Sequence, residues 1–486
     1  MTNPRTVIIL AAGEGKRMKS AVPKVLHPLL GRTIVGHVVA TAATLTADRT
    51  LVVVGRGADE VTPHLAGIAP DAVPVLQAAQ RGTGHAVRLA LEAVPGEGTV
   101  VVLNGDVPLL RPETLAALVT EHENAGAAAT VLTAELADPT GLGRIVRDAT
   151  GGLAAIVEER DATVEQRAIR EINGGVYAFD GAQLSAALGK LTTENDQGEE
   201  YLTDVIGLFV AAGQRVVAYT ATDPTETLGV NDRAELAGLR AVLRDRVNRR
   251  WMRDGVTILD PATTWIDVTV TLGRDVVLEA HTQLCGATAV GDEAVVGPDT
   301  TVVDSTIGEG ASVVRAHVIG SEIGPRASVG PYAYLRAGTR LARSSKVGTF
   351  VETKNADIGE GTKVPHLSYI GDATIGEQTN IGAASVTANY DGVNKNRTVI
   401  GSHVRIGVDN MFVAPVEIGD GAYTGAGSVV RRNVPPGALA VSGGPQRILD
   451  GWVEKHRPGS AAAEAAARAQ TADEDPTGDT ATDKAN

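Results

Sequence analysis

Two turns in the N-terminal half of the sequence carry residues suited to phosphoryl chemistry. The first reads Leu10-Ala-Ala-Gly-Glu-Gly-Lys-Arg-Met18, with Lys24 shortly after it. Glycines let backbone N–H groups approach a phosphate chain, and Arg17 and Lys24 can neutralise the charge that develops during transfer. The second turn places Asp106 directly after an apolar run, where a carboxylate near a phosphate loop is a natural Mg²⁺ ligand. Together the turns predict a metal-dependent phosphoryl site.

Single residues exclude two commoner phosphate-binding motifs. A dinucleotide fingerprint needs a third glycine where this sequence has Met18, and a Walker loop needs Ser or Thr where it has Arg17. Taken alone, Asp106 could equally be a turn aspartate bonded to its own backbone. The glycine-rich turn favours the metal-binding interpretation.

A second set of polar residues lies far along the chain and suits acyl transfer. Acetyl transfer from a thioester to an amine needs a base, and histidine, here His366, is the residue type that most often serves as one. Glu352 is a candidate to orient His366, while Arg336 and Lys354 suit a sugar phosphate. The alternative is that His366 is an exposed histidine without a role. The full set is Arg336, Glu352, Lys354, His366, Tyr369, Asn380, Asn389 and Tyr390.

The elements that position the first site have the pattern of an α/β domain. Short apolar runs at Thr6–Leu10, Thr50–Val54 and Thr99–Leu103 predict buried parallel strands. Helical patterns at Ile34–Leu45 and His85–Ala93 lie between them. Strand–helix alternation predicts a Rossmann-like sheet with helices on both faces and ligands beyond the carboxyl ends of the strands.

The elements that position the second site follow a six-residue period from about Val256 to Val441. An aliphatic residue followed by glycine recurs throughout, which predicts a left-handed parallel β-helix of hexapeptide repeats. We expect the aliphatic side chain to point inward and the glycine to turn the corner. The segment Thr387–Thr398 interrupts the period and is a candidate functional loop. One series with the period is Ile400, Ile406, Phe412 and Ile418.

A chain of 486 residues is too long for one core. Leucines at helical spacing predict one long helix over Asp232–Arg253. We therefore expect an α/β domain at 1–231, a linker helix at 232–255, a β-helix at 256–457 and a disordered tail at 458–486.

Composition restricts the function further. The net charge of −14 argues against a nucleic-acid or anionic-membrane surface. The single cysteine, Cys285, excludes an intrachain disulfide and a cysteine-rich zinc site. No run reaches the roughly 18 apolar residues of a membrane span, so we expect a cytoplasmic protein.

Several motifs together resemble the sugar nucleotidyltransferases. They are the glycine-rich turn, Pro23-Lys24-Val-Leu, Gln80-Arg-Gly-Thr-Gly-His85 and Asn104-Gly-Asp106. Joined to hexapeptide repeats, they resemble the bifunctional N-acetylglucosamine-1-phosphate uridyltransferase/glucosamine-1-phosphate acetyltransferase family. The resemblance implies two reactions that make UDP-N-acetylglucosamine for peptidoglycan and other cell-envelope glycans. UTP and acetyl-CoA would be co-substrates, with Mg²⁺ as cofactor.

The resemblance also implies site residues in the first domain. Asp106 and Asn231 would hold Mg²⁺, and Arg17 and Lys24 would be catalytic. Read alone, Asn231 is a helix N-cap. The nucleotide would contact Leu10, Ala11, Ala12, Gly13, Lys24, Gln77, Gly82 and Thr83. The sugar phosphate would contact Gly143, Glu158, Asn173 and Asn231.

For the second domain, the resemblance implies that His366 is the catalytic base. Two positions depart from the family pattern, because Val408 replaces a serine and Gly443 replaces a basic residue. Both departures concern the coenzyme. The acceptor sugar would contact Arg336, Lys354, Tyr369 and Asn380. Acetyl-CoA would contact Ala383, Asn389, Tyr390, Val408, Ala426 and Gly443.

Two other functions remain open on sequence grounds. One is a nucleotidyltransferase whose β-helix only assembles subunits or binds an effector. The other is a β-helix carbonic anhydrase, which needs three histidine ligands across a subunit interface. The candidate ligands show no tight cluster in sequence; they are His281, His317, His366 and His403. The flat outer faces of such a solenoid also predict a homotrimer.

Overall fold

A computed structural model describes residues 4–94, 97–444 and 446–474 of the chain. The first eleven strands and eight helices belong to the N-terminal half. The strands β1 to β11 are Arg5–Ala11, Pro28–Leu29, Arg32–Thr33, Arg49–Val54, Val73–Leu76, Thr99–Asn104, Ala129–Glu135, Arg144–Arg147, Leu153–Val157, Glu171–Asp180 and Val216–Thr220. The helices α1 to α8 are Ile34–Ala43, Ala58–Ile68, Thr83–Ala93, Pro112–Ala125, Val164–Arg167, Gly181–Leu188, Asp204–Ala211 and Arg233–Arg253. None of the helices in the described ranges is long and apolar enough to cross a bilayer.

The main sheet has the strand order β11-β7-β10-β6-β1-β4-β5. Strands β6, β1, β4 and β5 are parallel, which confirms the three predicted parallel strands, and β10 is antiparallel to both β6 and β7. Alternate residues of β1 enter two separate cores, since Ile8 packs on one face and Val7 and Ile9 on the other. Burial on both faces explains why these strands read as continuous apolar runs.

Helix α8 leads from the sheet to the second half of the chain. Asp232 is its N-cap, and its side chain accepts hydrogen bonds from the backbone of Ala234 at 2.8 Å and of Glu235 at 2.9 Å. The helix therefore begins one residue later than predicted. The interpretation of Asn231 as the N-cap is wrong, because Asp232 fills that position and leaves the Asn231 side chain free to turn elsewhere.

The second half of the chain is built from short parallel strands stacked into coils. The strands β12 to β37 are Thr257–Ile258, Trp265–Ile266, Thr271–Leu272, Val277–Leu278, Thr282–Cys285, Ala289–Val290, Val295–Val296, Thr300–Val303, Thr306–Ile307, Ser312–Val313, Ala316–Ile319, Glu322–Ile323, Ser328–Val329, Ala333–Leu335, Arg340–Leu341, Lys346–Thr349, Glu352–Ile358, Lys363–His366, Tyr369–Ile375, Val386–Ala388, Thr398–Ile400, Met411–Val413, Val416–Ile418, Tyr423–Thr424, Val429–Val430 and Leu439–Ala440. Parallel pairing such as Val277 with Val295 joins residues one coil apart. The predicted β-helix is confirmed.

The repeated aliphatic residues form one continuous core, in which Val296, Val347 and Phe412 are each 0% exposed. At most corners the glycines that follow these residues relieve crowding, as expected, and do not provide a positive φ. Glycines such as Gly291 and Gly348 do not have positive φ. Instead, a Cβ at Gly291 would lie 2.8 Å from the backbone of the next coil, so glycine is needed for close approach between coils.

The chain after the β-helix differs from the expected disordered tail. Helix α9 at Trp452–His456 precedes the expected tail, whereas helix α10 at Ala461–Glu474 lies within it. The sequence of α10 is rich in alanine, the residue with the highest helix propensity, which outweighs the lack of a strongly apolar face. Residues 475–486 of the expected tail lie outside the described residues.

Candidate functional sites

The glycine-rich turn follows β1 at the carboxyl edge of the parallel strands. Gly15 has φ of 62°, and a Cβ there would lie 2.6 Å from Cβ of Lys24. A Cβ at Gly55 would lie 2.4 Å from the backbone oxygen of Ala12. Glycine at these positions therefore lets the loop pack against both Lys24 and the end of β4.

Two pairs of side chains meet beside this loop. Nζ of Lys24 lies 2.5 Å from Oδ2 of Asp106, and Arg17 donates a hydrogen bond of 2.7 Å to Oδ1 of Asn231. The N–H of Val230 donates to the backbone oxygen of Asp106 at 3.0 Å, which joins the Asp106 turn to the segment that carries Asn231. The structure thus brings together all four residues predicted to handle phosphate and metal.

The donor set formed by Asp106 and Asn231 fits a magnesium ion. Both are oxygen ligands, and each oxygen already attracts a cationic side chain, so the local field favours positive charge. Within the described ranges, no group of three or more His, Cys, Asp or Glu side chains could hold a metal ion. A site with few protein ligands suits Mg²⁺, which retains water and takes substrate phosphates as further ligands.

A small cavity beside the loop is large enough for a flat base. Gln77 lies in its wall, and Gln80 donates a hydrogen bond of 2.5 Å to the backbone oxygen of Ala12. Gln77 Nε2 lies 3.0 Å from the backbone oxygen of Gly82, and Thr83 Oγ1 accepts from the N–H of Leu202 at 3.0 Å. The cavity of about 330 Å³ is lined by Glu14, Gly55, Arg56, Leu76, Gln77, Ala78 and Gln80.

Three of the four residues predicted to contact the sugar phosphate also converge, while the fourth, Asn231, pairs with Arg17. The N–H of Asn173 donates to the backbone oxygen of Gly143 at 2.9 Å. A Cβ at Gly143 would lie 3.3 Å from Oε2 of Glu158. Thr203 donates to Glu158 at 3.3 Å and directly follows Leu202, which links this group to Thr83.

The surroundings of Glu158 alter its ionisation. Burial raises the pKa of this carboxyl, and the nearby carboxylates of Asp161 and Asp204 add to the effect, although Thr203 opposes it. Asn173 is held by Tyr177, whose hydroxyl accepts its amide at 2.6 Å. The group therefore presents polar side chains with fixed orientations.

In the β-helix, His366 belongs to a column of corner residues that we call the first corner: His366, Ala383, Val408 and Ala426. Each of the first three accepts a hydrogen bond from the coil above, at 3.4, 2.7 and 2.9 Å respectively. The His366 ring is exposed and has no hydrogen-bond partner among the described residues. The predicted base and three predicted coenzyme contacts thus lie along one edge.

A second cluster, the second corner, contains Arg336, Glu352, Lys354, Asp372 and Asn389. Arg336 donates to Glu352 at 2.9 Å, whereas no hydrogen bond joins Glu352 to His366 within the described residues. The β-helix geometry explains the difference, because Glu352 pairs with Tyr369 on a strand beyond the corner at His366. Lys354 lies 3.4 Å and Asn389 2.5 Å from Oδ2 of Asp372.

Asp372 was missed by the sequence analysis. Burial would raise the pKa of this carboxyl, but hydrogen bonds from Asn355 and Asn389 and the charge of Lys354 hold it below its usual value. Lys395 was also missed, and the neighbouring ammonium of Lys354 lowers its pKa. The sequence signal for Asp372 is weak, since acidic residues follow glycine in many of the repeats.

One chain does not bring the whole acceptor set together. Tyr369 lies on the same face of the prism as Arg336 and Lys354, but Asn380 pairs with Lys363 and Arg405 on a different face. His366 lies beside the corner at Leu367, whereas Gly371, which pairs with Lys354, lies beside the next corner at Asp372. The predicted base and the side chains predicted to bind phosphate therefore lie beside different corners of the chain.

The remaining predicted coenzyme residues occupy exposed positions. Tyr390 lies in the loop that interrupts the repeats and donates to the backbone oxygen of Gly392 at 2.6 Å. The Val408 side chain is 52% exposed. Gly443 has φ of 124°, and a Cβ there would meet nothing within 4 Å. The two departures thus leave an apolar surface and an open space beside the first corner.

Comparison with known proteins gives matches to both halves and to the whole chain. A MobA-like NTP transferase domain model matches residues 7–175, and a bacterial transferase hexapeptide model matches residues 397–432. The chain is 58% identical to Bifunctional protein GlmU of Streptomyces avermitilis and 59% identical to that of Streptomyces coelicolor, in each case over 95% of this chain and 97% of the relative. It is 58% identical to Bifunctional protein GlmU of Thermobifida fusca, over 98% of this chain and 99% of the relative.

Proposed function

Because the chain belongs to the GlmU family of bifunctional enzymes, we propose that its two candidate sites divide the synthesis of UDP-N-acetylglucosamine between them. The β-helix transfers the acetyl group of acetyl-CoA to glucosamine 1-phosphate. The α/β domain then transfers uridylyl from UTP to the resulting N-acetylglucosamine 1-phosphate and releases pyrophosphate. The observation that carries the proposal is that full-length similarity coincides with two separate polar sites, one in each half.

In the uridylyl step, a phosphate oxygen of the sugar attacks the α-phosphorus of UTP. The bond from that phosphorus to the bridging oxygen breaks, and pyrophosphate leaves. Arg17 and Lys24 neutralise the charge that develops on the phosphates. Asp106 and Asn231 are suited to hold Mg²⁺, which when bound would draw negative charge from the phosphate oxygens.

The remaining catalysis of uridylyl transfer comes from the positioning of the two substrates. Gln77 lines the cavity proposed for the base and donates to Gly82, so we place Gly82 and Thr83 at the edge of the nucleotide site. Gln80 in the cavity wall donates to Ala12, and we place the phosphates along the loop from Leu10 to Gly13. Glu158, Asn173 and the backbone at Gly143 receive the sugar. Because the attacking oxygen comes from the substrate, no protein nucleophile is needed.

In the acetyl step, the amine of glucosamine 1-phosphate attacks the thioester carbon and the carbon–sulfur bond breaks. His366 accepts the proton that the nitrogen loses, and the thiol of CoA takes up a proton as it leaves. The exposed, unpartnered ring of His366 supports this role. Arg336 and Lys354 bind the phosphate, with Tyr369 and Asn380 on the sugar.

Acetyl-CoA is proposed to run along the first corner from His366 past Ala383, Val408 and Ala426. Asn389, Tyr390 and Gly443 would make its remaining contacts. Since Val408 offers no hydroxyl and Gly443 no charge, the coenzyme loses one hydrogen-bond partner and one cation relative to the family pattern.

The acetyl site requires a second subunit, and we propose a homotrimer. In one chain, His366 and Arg336 lie beside different corners of one prism face, so packing of two prisms is needed to bring a base and a phosphate site together. Exposed apolar side chains on this face support such packing; Phe350, Leu367 and Met411 are 58%, 59% and 46% exposed. Sedimentation equilibrium should give the mass of three chains, and a monomer would contradict the arrangement.

Two assays test the activities on the full chain. Release of free thiol from acetyl-CoA in the presence of glucosamine 1-phosphate tests the acetyl step. Release of pyrophosphate from UTP, N-acetylglucosamine 1-phosphate and Mg²⁺ tests the uridylyl step. A protein that releases pyrophosphate but no thiol would have a β-helix without acetyltransferase activity. Because UTP and acetyl-CoA are cytoplasmic metabolites, the proposal places the enzyme in the cytoplasm.

A further inference from the structure

The amide group of Gln77 is held between two hydrogen-bond acceptors. Its Nε2 lies 3.0 Å from the backbone oxygen of Gly82 and 3.0 Å from Nδ1 of His85. A carbonyl oxygen can only accept hydrogen bonds, so the atom of Gln77 that faces Gly82 must be the NH2 nitrogen. Its second hydrogen is then directed at His85.

His85 is suited to accept that hydrogen. Its side chain is 8% exposed and stands at the start of α3. Burial lowers its pKa, and neighbouring arginines lower it further, which favours the neutral imidazole near pH 7. A neutral ring with an acceptor at Nδ1 carries its proton on Nε2. The charged groups around it are Arg81, Arg88, Glu92 and Glu200.

With both amide hydrogens engaged, Gln77 offers only its oxygen to a ligand. Oε1 accepts no hydrogen bond from the residues that the structure describes, and the residue lines the cavity proposed for the base. An acceptor in this position complements the N3–H of uracil. Cytosine has a lone pair at N3 and would be repelled.

We infer that His85 is a positioning residue that makes the base pocket selective for uracil over cytosine, because it fixes the orientation of the Gln77 amide. The inference rests on the proposed uridylyl transfer. It does not separate uracil from thymine, since both carry a hydrogen at N3. Turning the amide round to accommodate cytosine would place Oε1 against the carbonyl oxygen of Gly82 and would require the His85 proton to move from Nε2 to Nδ1.

The test compares kcat/KM for UTP and for CTP in the full chain, with N-acetylglucosamine 1-phosphate and Mg²⁺. His85→Phe keeps a ring but removes the acceptor. Only the Gly82 carbonyl then opposes rotation of the amide. We therefore expect the ratio of kcat/KM for UTP to kcat/KM for CTP to fall about tenfold, which corresponds to the free energy of one hydrogen bond. His85→Asn supplies an amide oxygen near the position of Nδ1 and should retain most of the ratio.

A purely structural role for His85 predicts a different result, since a loosened pocket would weaken both nucleotides by the same factor. A ratio in His85→Phe equal to that of the wild type would therefore overturn the inference. Acetyl transfer by the same protein reports on folding, and His85→Met replaces the Phe variant if that variant does not fold. If the wild-type protein transfers no uridylyl group, the proposed function itself fails, which is a separate outcome.

Discussion

Replacing Asp106 with asparagine removes one negative charge from the proposed phosphate site without changing its shape. In the structure, this carboxylate lies 2.5 Å from Nζ of Lys24, and the two side chains are 28% and 11% exposed. A hydrogen bond between charged groups contributes about 1.5–3 kcal/mol, which corresponds to about 10- to 150-fold in rate. Weaker retention of the metal lowers the rate by a further factor of roughly 10 to 100.

We therefore expect Asp106→Asn to lower kcat for uridylyl transfer by about 10²- to 10⁴-fold. The Mg²⁺ concentration for half-maximal activity should rise as well. The backbone oxygen of residue 106 still accepts from Val230, so the turn keeps its structure. Acetyl transfer should stay within about twofold of the wild type, because the two sites share no residues.

The wild type and the variant are compared by measuring pyrophosphate release as a function of Mg²⁺ concentration. Thiol release from acetyl-CoA is measured in parallel. Asp48→Asn is a matched control, since Asp48 accepts a hydrogen bond from the Arg5 backbone outside both sites. The reasoning is refuted if Asp106→Asn keeps more than half of the uridylyl activity, or if a folded variant loses both activities.

Three further results are expected. His366→Ala should abolish thiol release from acetyl-CoA and leave pyrophosphate release unchanged, and loss of both in a folded protein would contradict separate sites. Phe412→Ala should destabilise the β-helix by about 3–5 kcal/mol in chemical denaturation, since Phe412 is 0% exposed; a change below about 1 kcal/mol would argue against a tightly packed core. Burial raises the pKa of Cys285 to about 11, so the fraction of reactive thiolate is small at neutral pH and rises with pH. Alkylation at pH 8 should be about 100-fold slower than for a thiol of ordinary pKa and should speed up about tenfold per pH unit, whereas rapid reaction at pH 8 would mean that the thiol is not buried.

The fold was predictable where a local pattern has one physical cause. Strands buried on both faces leave apolar runs such as Thr99–Leu103, and inward aliphatics leave a six-residue period in the β-helix. The antiparallel strand β10 was not foreseen, because strand direction depends on connections distant in sequence. The tail helix at Ala461–Glu474 was missed because its lack of a strongly apolar face was given more weight than the helix propensity of alanine.

In the candidate sites, too, local patterns could be interpreted from the sequence and contacts between distant residues could not. Residues within one motif, such as Lys24 and Asp106, could be assigned from their turns. Partners that meet only through folding could not be assigned in this way. Glu352 was paired with His366 from the sequence, but in the folded chain Arg336 donates a hydrogen bond to it. Asp372 gave only a weak signal and His85 stood at the end of a motif without a role of its own, because their importance comes from the hydrogen bonds that they make with Asn389 and Gln77.

A mixing experiment tests the two-site account most directly. Asp106→Asn and His366→Ala are each supplied with glucosamine 1-phosphate, acetyl-CoA, UTP and Mg²⁺, and UDP-N-acetylglucosamine is measured. Each variant alone should form almost none, while the mixture should form it, because N-acetylglucosamine 1-phosphate made by the first variant diffuses to the second. A mixture as inactive as its separate components would contradict two independent sites in one chain.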